Sequence, residues 1–140
     1  MYGLLADHNC EGQLQVLLQV CRNERWRDIW LSLQVQIHTF KTLGLEIDAP
    51  DSTVWTVCQK KLLFLVTANR NDDGPNSLQA TIARSGTIES LPVLTLGDGD
   101  AILDNREYAE RAALRLMEIL IAPDDAMGTG RLYLPSNAKV

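Results

Sequence analysis

The chain has 140 residues, 46% of them hydrophobic and 22% charged, which suffices for one ordinary globular core and lies far from disordered or fibrous compositions. Its 13 basic and 18 acidic side chains leave a formal net charge of −5, so no global positive field exists to coat a nucleic acid; a nuclease stays open, because it can hold phosphate through a bound cation and a few local basic groups. Three cysteines without a C-x-x-C pair, two histidines without a ligand-spaced partner, an N-terminal apolar run without a basic flank and no run of 18 apolar residues argue against a disulfide scaffold, a zinc site, a secretory leader and a membrane span, and predict a cytoplasmic protein with buried thiols.

Tyr2 to Ala6 is a brief apolar run that ends at Asp7 in a polar turn with His8 and Asn9. Leu14, Leu17, Leu18 and Cys21 follow at helical offsets, so strand, turn and helix open the chain. Beyond Arg22 to Trp30, Leu31, Leu33, Val35 and Ile37 alternate with Ser32, Gln34 and Gln36. This period of two predicts a second, half-covered strand, against a competing helical reading of Trp26 to Leu45. The segment Phe40 to Leu45 stops at Gly44. Asp51 after Pro50 is expected to cap a helix that buries Val54, Val57 and Cys58 and ends at Lys60-Lys61, whose cations suit its C-terminal dipole.

Leu62 to Val66 is an unbroken apolar run of strand length and predicts a central strand buried on both faces. Thr67 to Pro75 is polar turn chemistry, and Asn76 is expected to cap a helix that reaches about Ser85. Leu91 to Leu96 predicts another strand. Asp104 with Glu107 resembles a capping box for the longest helix, whose face carries Ala109, Ala112, Ala113, Leu116 and Leu120. Residues 123–140 are expected to form a C-terminal tail with Arg131 to Leu134 as an edge strand. The alternation of elements over residues 1–122 predicts an α/β domain of three layers, α/β/α, with a short parallel sheet joined by right-handed crossovers.

Ligands of such sheets bind beyond the carboxyl ends of the strands, where this order places Asp7, Asn9, Thr67, Asn69, Asn71, Asp72 and Asp98, with Asp51 joining from a helix start. Converging carboxylates repel one another unless a cation or shared proton lies among them, and an oxygen-rich cluster suits Mg²⁺ or Mn²⁺. Plainer roles stand beside these. Asp7 and Asp51 also fit helix caps, and Thr67, Asn69 and Asn71 also fit turn-forming side chains. Arg70, Lys60 and Lys61 fit solvated surface, Asp98 and Asp100 an ordinary polar loop, and the three tryptophans core or interface anchors.

Leu4-Leu5-Ala6-Asp7-His8-Asn9, with a helix after it, resembles the opening of the small bacterial PIN-like proteins, where an apolar strand ends in Asp-Glu-Asn. Leu43-Gly44-Leu45, Ala49-Pro50-Asp51 and Leu65-Val66-Thr67-Ala68-Asn69-Arg70-Asn71-Asp72 are similar to the rest of that pattern: a Leu-Gly, an acid opening a helix, and a strand running into Thr-x-Asp-x-Asp. The match runs in order and spacing through roughly residues 1 to 97. The resemblance implies a metal-dependent ribonuclease fold often found as the toxin of toxin–antitoxin pairs, hence RNA as substrate and an antitoxin-like protein as partner.

Carried over residue by residue, Asp7 and Asp51 stand where the family has acids, His8 replaces a glutamate, and Asn69 and Asn71 replace both carboxylates of Thr-x-Asp-x-Asp, with Asp72 and Asp73 directly after. The resemblance then implies Asp7, Asp51 and Asp72 as catalytic groups. It implies Asp7, Asp51, Asn69, Asp72 and Asp73 as ligands of Mg²⁺ or Mn²⁺, and Asn9, Thr67 and Arg70 as substrate contacts. The alternative is a PIN-like protein that has lost its acids and serves as a binding or regulatory module. Separately, the alanine face and the tryptophans lead to the expectation of a homodimer.

Overall fold

The computed structural model describes residues 2–69, 74–75 and 77–138. Short apolar runs closed by turn residues form the strands β1 (Gly3–Ala6), β2 (Gln36–His38), β3 (Leu63–Thr67), β4 (Val93–Leu96) and β5 (Arg131–Leu134). All are parallel, in the order β2-β1-β3-β4-β5. The helices are α1 (Glu11–Cys21), α2 (Arg27–Leu33), α3 (Phe40–Leu43), α4 (Asp51–Lys61), α5 (Leu78–Ser85), α6 (Gly99–Asp104) and α7 (Arg106–Ile121).

Because side chains alternate along a strand, each central strand feeds two cores. Leu4, Ala6, Phe64, Val66 and Leu94 meet α1, α2, α6 and α7 on one face. Leu5, Leu63, Leu65 and Val93 meet α3, α4 and α5 on the other. This is the three-layer α/β/α arrangement, and it explains why β1 and β3 read as continuous apolar runs.

The second strand is shorter and later than the alternation of Leu31 to Ile37 implies. Leu31 and Leu33 belong to α2, where Trp30 is the buried residue, and the helix ends at Gln34 in a left-handed conformation (φ 53°) that turns the chain into β2. The apparent period of two therefore straddles a helix terminus. Gly44, also left-handed at φ 70°, closes α3, which accounts for the Leu-Gly pair.

Three expected caps move by one residue. Pro50, not Asp51, is the N-cap of α4. Ser77 caps α5 by accepting from the Ala80 amide, whereas Asn76 lies outside the described residues. Asn105 caps α7 by accepting from the Tyr108 amide, while Asp104 ends α6, so no Asp104–Glu107 box forms.

The uniform right-handed crossover pattern fails at the last connection. β3 to β4 and β4 to β5 advance toward the same edge of the sheet, but α5 covers one face and α6–α7 the other, so the two connections have opposite hands. The helix of that connection, α7, packs on α1, and its Ala109, Ala112 and Ala113 are 2%, 0% and 0% exposed. These alanines and two of the three tryptophans, Trp30 and Trp55, are thus buried in the chain's own core, while Trp26 stays partly exposed.

As expected for the Arg131 to Leu134 segment, β5 is an edge strand. It is nonetheless part of the core, since Leu134 is fully buried and its carbonyl accepts from the Gly97 amide. A methyl group on Gly97 would overlap the Ser136 carbonyl oxygen. We expect Gly97→Ala to destabilise by about 1–3 kcal/mol by overpacking. Gly12 of α1 has nothing within 4 Å of an added Cβ, and Gly12→Ala should stabilise by roughly 0.5–1 kcal/mol. Urea unfolding measures both; coincident midpoints would contradict this account of β5.

Candidate functional site

From β1 the chain turns to one edge of the sheet, and from β3 to the other, so a crevice opens between their carboxyl ends. Asp7 follows β1 and continues its pairing, its amide donating to the Val66 carbonyl at 2.8 Å. The carboxylate does not cap the turn that follows. Its Oδ2 accepts the Thr67 hydroxyl at 2.6 Å, and Thr67 Oγ1 accepts the Asn69 amide at 2.9 Å. Thr67 is fully buried, so its hydroxyl joins the ends of both central strands from beneath the crevice.

Asp51 enters from the opposite direction as the first residue of α4. Its Oδ2 accepts the Asn69 side-chain amide and the Leu78 backbone amide, both at 3.1 Å. Leu78 opens α5, so this carboxylate satisfies an amide left without a partner at the start of α5 rather than of its own helix. The amide orientation of Asn69 follows from the contact, since reversing it would set its oxygen against the carboxylate.

Asp7, Asn9, Asp51 and Asn69 line one pocket of about 180 Å³ over Phe40, Leu65 and Leu78. Four expected site residues are therefore brought together, with Thr67 supporting them. Asp98 is not among them: it lines a neighbouring pocket with Gln13 and Asp100, and its carboxylate caps α6 through the Ala101 amide at 3.1 Å. Arg70, Asn71, Asp72 and Asp73 lie outside the described residues. Lys60 and Lys61 end the helix that Asp51 begins, roughly 15 Å away along its axis.

Arg131 joins the site although no local pattern singles it out. Its Nη1 donates to the Asn69 carbonyl at 3.0 Å and to Thr95 Oγ1 at 2.6 Å, and its Nε donates to Gln79 Oε1 at 3.2 Å. The one available signal is the alternation of β5: with Leu132 and Leu134 facing α7, Arg131 must face α5.

Charge at Asp7 reaches both cores. Burial, followed by the negative charge of Asp7, pushes the thiols of Cys10 and Cys58 up to about 12, which keeps them neutral and unreactive. Cys10 donates its S–H to the Val66 carbonyl at 3.0 Å. A cysteine nucleophile is therefore disfavoured at this site.

The pocket's side-chain oxygens are those of two carboxylates and two amides, of which Asn69 turns its N–H toward Asp51. Mg²⁺ is commonly held by one or two carboxylates with several retained waters, so the set fits a hard divalent cation and suits soft metals poorly. Among the described residues no group of three His, Cys, Asp or Glu converges.

The Asn69–Asp51 contact yields a direct expectation. Asn69→Asp places two carboxylates in contact and should destabilise the metal-free protein by about 1–3 kcal/mol while increasing affinity for Mn²⁺. Thermal melts with and without Mn²⁺ read both effects. Unchanged melting in each condition would mean that residue 69 does not face the carboxylate.

Compared with protein-family models, curated proteins and solved structures, the chain finds no match in any of the three.

Proposed function

We propose that the crevice is the divalent-cation site of a PIN-like endoribonuclease, with Asp7 and Asp51 as carboxylate ligands of Mg²⁺ or Mn²⁺. The supporting observation is convergence: two acids from distant elements meet in one small pocket at the carboxyl ends of β1 and β3. Both stand at acidic positions of the family that the sequence resembles. A bound cation would neutralise phosphodiester charge and acidify a water molecule.

The chain's own residues would prepare that environment. The Thr67 hydroxyl orients Asp7, the Leu78 amide orients Asp51, and Asn9 lies exposed at the mouth, where an amide can hydrogen-bond RNA. Asp72 and Asp73 are the further acids that the resemblance offers. The same resemblance extends the proposal to a toxin role, with an antitoxin-like protein as partner.

One contact favours a second reading, a binding or regulatory module. The Asn69 amide already satisfies Asp51 without a cation, which suits a site that has exchanged metal binding for a hydrogen bond to the carboxylate. Calorimetric Mn²⁺ titration and a cleavage assay on single-stranded RNA separate the two. The nuclease reading expects Mn²⁺-dependent cleavage that Asp7→Asn or Asp51→Asn lowers at least about 10–100-fold, the cost of even an indirect change at a metal site. RNA left intact with Mn²⁺ bound keeps the cation site and overturns the nuclease activity. Absence of both binding and cleavage overturns the cation site and supports the binding module.

A further inference from the structure

Both donors to Asp51 Oδ2 come from the ends of one connection, Asn69 just after β3 and Leu78 at the start of α5. Arg131 grips the same two ends. Its Nη1 holds the Asn69 carbonyl, and its Nε holds Gln79, the residue after Leu78. A third bond, from Nη1 to Thr95 Oγ1, anchors the guanidinium to β4, where Thr95 is fully buried. A guanidinium is planar and its donors keep fixed directions, so one such group sets the spacing of the acceptors it joins.

We infer that Arg131 is the positioning residue of this site. From the edge strand it holds Asn69 and the first turn of α5 in register with Asp51, and so governs how firmly that carboxylate is bonded. It follows that Arg131 controls how readily Asp51 exchanges the Asn69 amide for a cation. This last step rests on the cation reading above, whereas the clamp itself does not. A lysine offers one compact charge without the fork and cannot span the three acceptors.

The test is amide hydrogen exchange by NMR on the wild type, Arg131→Lys and Arg131→Met, read at the Leu78 backbone amide and the Asn69 side-chain amide. The amides of Leu5 and Leu65 in the central strands serve as references. Arg131→Met should accelerate exchange at Leu78 and Asn69 about tenfold or more relative to the references, as loss of charge-assisted hydrogen bonds implies. Arg131→Lys should fall between. Should Arg131→Met fail to fold, Thr95→Val, which removes the guanidinium's buried acceptor at nearly constant shape, should accelerate the same two positions by a smaller factor.

Unchanged rates at Leu78 and Asn69 overturn the inference, as does equal acceleration at all four positions, which would mark Arg131 as a general stabiliser. Mn²⁺ titration of the same proteins supplies a separate arm, with affinity expected to differ by about fivefold or more between the wild type and Arg131→Met. If no protein binds Mn²⁺ while Leu78 and Asn69 respond, the clamp stands and the cation reading fails.

Discussion

A single oxygen, Oδ2 of Asp51, joins three segments that the chain otherwise keeps apart: α4, which Asp51 begins, the residue two places beyond β3, and the first turn of α5. A half-buried carboxylate is costly to hold without donors, and here two N–H groups meet it. Their positions in turn depend on Arg131, which ties the carbonyl of Asn69 and the side chain of Gln79 to Thr95 of β4. Ion and hydrogen-bond chemistry therefore links the far edge of the sheet to its central crevice.

The second acid is held by a different donor. Asp7 leans on the Thr67 hydroxyl, which also receives the Asn69 amide, so Asn69 is shared: its backbone belongs to the Asp7 network and its side chain to Asp51. This makes residue 69 the hinge between the two carboxylates. An amide there keeps the pair compatible without a counter-ion, and a carboxylate there would create the demand for one.

Layering was legible from the sequence because it depends on local pattern. Leu63 to Val66 could be little else than a buried strand, although Leu62, counted with it from the sequence, is the exposed left-handed cap of α4, and the offsets of Leu14, Leu17, Leu18 and Cys21 define the buried side of α1. The order of Asp7, Asp51, Thr67 and Asn69 along the chain was enough to send them to one end of the sheet. What stayed hidden depends on contacts distant in sequence. Leu31 to Ile37 alternates as a strand would, yet Trp30 packs from a helix and decides the matter. Asp51 looks like a cap for its own helix and instead serves α5. Arg131 is 62 positions from Asn69, and the alternation of β5 gives the face it takes but not that meeting. Asp98 was drawn toward the site by its place after a strand, but one local amide, that of Ala101, retains it.

The account turns on the coupling between Asp51 and Asn69, and a double-mutant cycle of Asp51→Ala and Asn69→Ala in the metal-free protein measures it directly by denaturant unfolding. The cycle cancels the cost of leaving the Leu78 amide without its acceptor, because both Asp51 variants share it. The expected coupling is about 1.5–3 kcal/mol, as for a hydrogen bond to a charged group. Additivity within about 0.5 kcal/mol would contradict it, since the two side chains would then act as strangers rather than as the junction on which the site is built.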